Sequence, residues 1–177
     1  MEEQAQEIKF SEEKLSKVQE LISRYPEGRQ KSALLPILHL AQREFGGWLS
    51  ASTMDYIASL LNIKPIEVYE VATFYSMFNL KPVGHCLIEF CRTGPCMVCD
   101  AEGIMEYTLN KLGIKEGETT PDGKFTVKAV ECLGSCGTAP MAQIGKFYYE
   151  NLTKEKIDKI VETFGAQGSD SFKKYDI

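Results

Sequence analysis

Apolar residues in the first half of the chain recur every three or four positions, which is the spacing of amphipathic helices. The pattern predicts four short helices. Ser11 is placed to cap the first, Gly46 follows the second, and Pro65 suits the first turn of the fourth. The apolar stripes, helix by helix, are Leu15, Val18, Leu21, Ile22 and Tyr25; Leu34, Leu38, Ala41 and Phe45; Met54, Ile57, Leu60 and Leu61; and Val68, Val71, Ala72 and Tyr75.

After a linker at 81–84, the pattern changes to shorter segments with strand character. It predicts a strand over 85–90, a helix over 101–112, a strand over 125–130, a hairpin over 141–149 that turns at Gly145, and a last helix over 151–164. This order is compatible with a thioredoxin-like domain without being specific for it. The pattern predicts an α+β fold class, with a helical bundle over 1–82, an α/β domain over 83–165 and a flexible tail over 166–177. Pro140 precedes the hairpin, and the sequence leaves its peptide bond open between cis and trans.

The charge distribution argues against nucleic acid as a partner. The 177 residues carry a net charge of −5, and residues 1–82 hold 11 acidic and 9 basic side chains with no basic stripe on any helix. Because binding to phosphates needs clustered Lys and Arg, a DNA-binding helix-turn-helix is disfavoured. We interpret the predicted bundle as a docking domain for another protein.

The expected cellular compartment follows from what the chain lacks. No apolar run approaches the roughly 20 residues of a membrane helix, so we expect no direct membrane insertion. The start of the chain has neither the basic and apolar regions of a signal peptide nor the Arg-rich character of a transit peptide. We therefore expect a cytoplasmic protein. In that reducing compartment, six cysteines indicate metal or redox chemistry rather than disulfides.

The cysteines are concentrated in the second half of the chain, where four of them form two spaced pairs. Cys91 and Cys96 form Cys-x4-Cys, and Cys132 and Cys136 form Cys-x3-Cys. Each pair follows a predicted strand. If the two strands are parallel neighbours, both loops leave the same edge of the sheet and can converge. Four thiolates from two such loops are the ligands that a [2Fe–2S] cluster requires.

Spacing alone leaves rival interpretations of these cysteines open. Zinc also takes four thiolates, and Cys96-x2-Cys99 with Cys132 and Cys136 is a possible zinc set. The run through Cys91, Cys96 and Cys99 matches the plant-type ferredoxin spacing, with one later cysteine as the fourth ligand. A thioredoxin-like dithiol at Cys96 and Cys99 would leave the downstream pair without a role.

Further motifs limit what this chain can do by itself. It has no Gly-x-Gly-x-x-Gly and no Walker loop, so no nucleotide-binding site is predicted on this chain. No nucleophile and base form a catalytic constellation, so no catalytic residue is predicted. An aromatic group in the fourth helix and beyond could form a docking surface, although core packing is the expected role of most of it. The group comprises Tyr69, Phe74, Tyr75 and Phe78.

Several segments of the chain resemble a known family. They are residues 25–26, 28–29 and 70–78 in the first half, and residues 119–125 and 131–141 in the second, the last reading Glu-Cys-Leu-Gly-Ser-Cys-Gly-Thr-Ala-Pro-Met. The chain resembles the family of the 24 kDa [2Fe–2S] subunit of respiratory NADH:quinone oxidoreductase (complex I) over residues 12–164. The resemblance implies a thioredoxin-like ferredoxin domain. It also implies one [2Fe–2S] cluster held by Cys91, Cys96, Cys132 and Cys136, which match the family's motifs.

The resemblance leaves Cys86 and Cys99 outside the ligand set. We interpret Cys86 as a strand residue and Cys99 as a small residue near the start of a helix. The function that the resemblance implies is an electron-transfer subunit of an NADH dehydrogenase module, which is an enzyme only as part of that complex. It would dock on a larger subunit that binds FMN and NADH, at the inner face of the membrane through partner subunits.

Two alternatives accompany this function. The same type of subunit occurs in the diaphorase part of soluble NAD-linked hydrogenases and formate dehydrogenases, and the sequence does not separate these from complex I. A zinc-stabilised protein-interaction module is the alternative from a different functional class.

Overall fold

The computed structural model describes residues 8–166, 175 and 177. The chain divides after Pro82 into two compact units. Among the described residues, none of the helices is long and apolar enough to cross a membrane.

The first unit contains the four predicted helices in the predicted order. A 3₁₀ turn, Gln30–Ala33, leads into the second of them. The fourth helix is shorter than its apolar pattern, because Tyr75 already has an extended backbone. The helices are α1 (Glu12–Ser23), α2 (Leu34–Glu44), α3 (Ala51–Leu61) and α4 (Pro65–Phe74).

Local signals and a shared core define these helices. The Ser11 hydroxyl accepts the N–H of Lys14 and so caps α1, as the sequence predicts. At α4, the Glu67 carboxylate accepts the N–H of Lys64 and closes the first turn. One apolar core joins the four helices, and its most deeply buried large side chains are Val18, Ile37, Leu38, Ile57, Leu61 and Val68. Burying side chains of this size stabilises a fold by about 1.5–3 kcal/mol each.

The second unit is a four-stranded mixed sheet with helices, and it confirms the predicted thioredoxin-like ferredoxin fold class. The strand order is β2-β1-β3-β4. Strands β1 and β2 run parallel, and the other neighbours are antiparallel. The strands are β1 (Cys86–Cys91), β2 (Phe125–Val130), β3 (Ala142–Ile144) and β4 (Phe147–Tyr149). The helices are α5 (Gly94–Val98), α6 (Ala101–Leu112) and α7 (Lys154–Gly165).

Two details of this unit differ from the sequence pattern. The five-residue helix α5 was not predicted, because its length gives no helical period. The last helix begins later than predicted, since Asn151 has a left-handed backbone (φ 49°) and the Thr153 hydroxyl caps the first turn. The Ala139–Pro140 peptide bond, which the sequence left open, is cis.

The core of the second unit lies where β1, β2 and β3 pack against α6 and α7. It contains fully buried side chains from each of the three strands and from α7, including Ile88, Val127, Ile144, Ile157 and Ile160. The predicted tail, 166–177, falls mostly on residues 167–174 and 176, which lie outside the described residues. Within the described part, the Tyr175 ring packs on Phe164 at a centroid distance of 5.0 Å.

Candidate metal centre

The two cysteine pairs follow neighbouring parallel strands. In the β1–β2 register, Cys91 lies opposite Val130, so the two strands end level with one another. The N–H of Arg92 then donates to the Val130 carbonyl at 3.1 Å. Both loops therefore leave the same edge of the sheet, so the condition that the sequence analysis set for the two pairs, parallel neighbouring strands, is met. An exposed ion pair between Arg92 and Glu131 (3.1 Å) connects the loops just outside this edge.

The first pair is buried at the end of β1. Cys91 is 4% exposed and Cys96 is 2% exposed, and both pack in a small cluster with Met141. Thr93 organises the turn between them, since its carbonyl accepts the Cys96 N–H at 2.9 Å and its hydroxyl lies 3.5 Å from the Cys91 sulfur. Gly94 begins α5 with a positive φ, which brings Cys96 back toward the strand end.

The two buried thiols have different acidities. Burial raises the pKa of Cys91, but hydrogen bonds from the N–H and hydroxyl of Thr93 and from the Leu133 N–H outweigh it, so the pKa lies below its ordinary value. At Cys96, burial and the neighbouring Cys91 raise the pKa to about 11, against a weaker effect of the Met141 N–H. The second cysteine loop therefore affects the first pair, since the N–H of Leu133 contributes to the lowered pKa of Cys91.

The second pair lies in an exposed loop. Cys132 and Cys136 are both exposed, and Gly134 between them has a left-handed backbone (φ 81°) that few other residues adopt. Cys136 begins a short 3₁₀ turn, Cys136–Thr138, and is near enough to contribute to the raised pKa of Cys96. In the described ranges, no three His, Cys, Asp or Glu side chains are already gathered as a metal-binding group.

The remaining two cysteines occupy contrasting places. Cys86 is fully buried in β1, as predicted, and burial raises the pKa of its thiol to about 12. Cys99 is exposed and follows α5 directly, two residues before α6 begins, and it does not join the buried cluster of Cys91 and Cys96.

Two residues near the second loop escaped the sequence analysis. The Glu150 carboxylate and the Tyr148 hydroxyl, just after the hairpin turn, both form hydrogen bonds to the loop that carries Cys132 and Cys136. No motif marks either residue. Their role depends on the hairpin folding back onto the loop, which a linear pattern does not reveal.

Comparison with known proteins identifies the family. The family model of the thioredoxin-like [2Fe-2S] ferredoxins matches residues 18–165. The chain belongs to this family.

Named relatives of this thioredoxin-like ferredoxin confirm the resemblance to complex I subunits. A subunit of the NADH-quinone oxidoreductase of Rickettsia felis is 46% identical over 155 residues, which are 88% of this chain and 93% of the relative. NADH dehydrogenase [ubiquinone] flavoprotein 2, mitochondrial, of Dictyostelium discoideum is 46% identical over 144 residues, 81% of this chain and 58% of the relative.

A solved structure shares the fold of this ferredoxin. The NAD+-reducing [NiFe]-hydrogenase in the H2-reduced state superposes with a TM-score of 0.67 over 76% of this chain and 22% of that chain, at 24% sequence identity. The likeness shows that part of that hydrogenase chain has the same fold.

The donor chemistry at the sheet edge fits the cluster that the family name implies. A [2Fe–2S] cluster takes four thiolates, two for each iron, and the two loops carry four cysteines. The backbone N–H of Leu133 acts to lower the pKa of Cys91, and that of Met141 the pKa of Cys96. Donors of this type stabilise a negatively charged thiolate cluster.

Proposed function

We propose that this chain is the electron-transfer subunit of an NADH-quinone oxidoreductase (complex I). It carries one [2Fe–2S] cluster on Cys91, Cys96, Cys132 and Cys136. The observation that carries the proposal is that two cysteine loops leave the same edge of the parallel β1–β2 pair, in a chain of the thioredoxin-like ferredoxin family.

The arrangement of the loops supports this ligand set over its rivals. Cys91 and Cys96 are buried together, and both receive a backbone donor from beyond β2. The zinc and plant-type alternatives both need Cys99, which is exposed at the end of α5, whereas the loop of Cys132 and Cys136 packs against the buried pair through Leu133. In the proposed ligand set, one cysteine pair follows β1 and the other follows β2, at the same edge of the sheet.

Different residues of the chain have different roles in the proposed electron transfer. When bound, the cluster supplies reversible one-electron chemistry. The thiolates hold it, the N–H groups of Leu133 and Met141 stabilise negative charge on sulfur, and the buried wall around Met141 limits water on one side. The exposed Cys132 and Cys136 lie on the side from which an electron can enter or leave.

The proposed partner, which follows from the resemblance to complex I subunits, is a larger subunit that binds FMN and NADH. This chain has no recognisable nucleotide-binding motif of its own. Two apolar side chains next to the first cysteine pair are open to solvent, Met97 at 61% and Val98 at 88%. In the helical unit, Phe74 is 80% exposed, which supports a docking role for the bundle as well. The chain would lie in the cytoplasm, peripheral to the inner face of the membrane through its partner subunits.

Anaerobic purification tests the cofactor. We expect a coloured protein with two irons and two acid-labile sulfides per chain, and an EPR signal of a [2Fe–2S] cluster after reduction. A colourless protein with one zinc and no labile sulfide would contradict the proposal and favour the zinc-stabilised interaction module.

A second candidate function is the diaphorase subunit of a soluble NAD-linked hydrogenase or formate dehydrogenase. The fold shared with the NAD+-reducing [NiFe]-hydrogenase keeps this candidate open. The chains that co-purify decide between the two. Membrane subunits identify complex I, whereas a nickel–iron, iron–iron or molybdenum subunit identifies the soluble enzymes.

A further inference from the structure

The loop that carries Cys132 and Cys136 is tied to one short segment of the chain, residues 148–152. Five hydrogen bonds join the two stretches. Two are between main-chain groups, from Asn151 N–H to the Thr138 carbonyl (2.8 Å) and from Leu152 N–H to the Pro140 carbonyl (2.9 Å). The other three use the side chains of Tyr148 and Glu150. We call residues 148–152 the anchor segment.

Glu150 is the centre of this contact. The hydroxyl of Ser135 donates to the Glu150 Oε1 at 2.5 Å, and that of Thr138 approaches the same oxygen at 2.6 Å. The two hydroxyls are 2.8 Å from each other. Ser135 lies between the two cysteines, directly before Cys136, and Thr138 lies two residues after Cys136. One carboxylate therefore binds residues on both sides of Cys136.

The anchor segment is itself held in place. The Lys156 ammonium on α7 donates to the Glu150 carbonyl at 2.9 Å. Asn151 turns the chain with a left-handed backbone and directs the following residues into α7. Because α7 is packed on the sheet core, the Glu150 carboxylate is attached to the rigid part of the unit and not to another loop.

Tyr148 provides a second attachment, on the other side of the loop. Its hydroxyl donates to the Leu133 carbonyl at 2.6 Å. Leu133 itself packs against the buried cluster that contains Cys91 and Cys96. Tyr148 therefore fixes the residue through which the second loop contacts the first cysteine pair.

We propose that Glu150 is a positioning residue, whose carboxylate holds the Cys132–Cys136 loop in the geometry that receives the cluster. Tyr148 supports it by fixing Leu133. The inference rests on the proposed function, because positioning matters only if the loop carries ligands. Hydrogen bonds to a charged acceptor are among the stronger ones in proteins, so a single carboxylate can order an otherwise exposed loop.

The test compares four variants of the full chain. Glu150→Ala removes the acceptor, Glu150→Gln keeps an oxygen of the same reach, Ser135→Ala/Thr138→Val removes both donors, and a triple variant combines Glu150→Ala with that pair. Glu162→Ala removes an exposed carboxylate from the far end of α7 and serves as the control. Amide hydrogen exchange of residues 133–140 in cluster-free protein is the first readout. The rate of cluster loss to a chelator and the EPR spectrum are the second.

We expect Glu150→Ala to increase exchange in 133–140 about tenfold or more and to accelerate cluster loss with an altered EPR spectrum. Glu150→Gln, which keeps an acceptor oxygen but loses the charge, should lie between the wild type and Glu150→Ala. The donor pair should reproduce Glu150→Ala, and the triple variant should add nothing, because the three side chains act as one unit. Unchanged exchange at the amides of β1 shows that the variants are folded.

Two results would overturn the inference. One is a Glu150→Ala protein that matches the Glu162→Ala control in exchange, cluster loss and EPR spectrum. The other is a triple variant in which the effects of Glu150→Ala and of the donor pair add. Wild-type protein with zinc in place of iron would contradict the proposed function instead, while the exchange data, measured without a cluster, still decide whether Glu150 orders the loop.

Discussion

Cys86 and Cys91 begin and end the same strand, yet their thiols have opposite environments. Cys86 is enclosed by apolar side chains of the sheet core, and burial raises its pKa to about 12. Cys91 meets hydroxyl and N–H donors from Thr93 and Leu133, which lower its pKa in spite of burial. The Cys86 thiol therefore fills space in the core, whereas the surroundings of Cys91 favour its negatively charged thiolate form.

Alkylation tests the environment of Cys86. In native cluster-free protein at pH 8, iodoacetamide should modify Cys86 at least about a hundredfold more slowly than the exposed Cys99, because only the thiolate reacts. Mass spectrometry of proteolytic peptides measures both rates. Denatured protein is the control, and there the two rates should become similar. Equal rates in the native protein would contradict the burial of Cys86.

Single substitutions test the ligand set. Cys132→Ser and Cys136→Ser should lose the cluster or perturb its EPR spectrum, because serine is a poor replacement for a thiolate on iron. Cys99→Ser is the matched control and should keep the wild-type iron content and spectrum. The reverse pattern, with Cys99→Ser defective and Cys132→Ser or Cys136→Ser intact, would favour the plant-type ligand set.

Strand β2 shows how closely the elements of the second unit approach one another. The N–H of Gly84 donates to the Thr126 hydroxyl at 2.7 Å. A Cβ atom at Gly84 would lie 2.7 Å from the main-chain carbon of Phe125, which is closer than real contacts allow. Position 84, just before β1, therefore requires glycine because a side chain does not fit there, and not because of its backbone conformation.

Substitution of this glycine tests the close approach. Gly84→Ala should lower the free energy of unfolding by about 1–3 kcal/mol, because the strands must separate to admit a methyl group. Gly165→Ala is the control, since a Cβ there would lie 3.8 Å from the Phe125 ring, an ordinary contact. Urea unfolding followed by circular dichroism measures both. A Gly84→Ala protein as stable as Gly165→Ala would contradict the geometry.

The sequence predicted the elements best where the apolar period was long. All four N-terminal helices and both long strands follow from it. The sequence left the direction of strand pairing open, and the structure shows β1 and β2 parallel. Helix α5 was missed because Gly94 and Pro95 suggest a turn and five residues show no period. The anchor of the second loop was missed for a different reason. Glu150 and Tyr148 contact it through the folded hairpin, and such tertiary contacts leave no local pattern.

At the scale of the whole molecule, the chain combines a helical unit and a sheet unit with separate apolar cores. Each unit exposes large apolar side chains, among them Phe74 in the first and Val98 in the second. The sequence analysis expected core packing for most of its aromatic group. Phe78 is buried and Tyr69 packs against the core, but Phe74 is 80% and Tyr75 39% exposed. Exposed apolar groups in both units are consistent with a subunit that docks on larger partners.

Disruption of one such group tests the proposed docking. Val98→Asp should weaken association with the co-expressed flavin-bearing subunit by about tenfold or more, because it places a charge in an apolar contact. Asn110→Asp adds the same charge to an exposed position on α6 and should leave association unchanged. Co-purification yield and the dissociation constant measure the effect. Normal EPR spectra of both proteins would show that the cluster itself is intact, and equal association of the two would contradict docking at α5.

The parallel pairing of β1 and β2 also governs when the proposed cluster can be inserted. A parallel connection needs a long crossover, here containing α5 and α6, so the two cysteine loops come together only after the chain has been made beyond β2. Non-local pairing of this type carries a larger loop-closure cost than local contacts do. A nascent chain that ends before β2 presents two of the proposed ligands and no complete site. Metallation would therefore follow folding, and a cluster-loaded chain would be one whose central crossover is already complete.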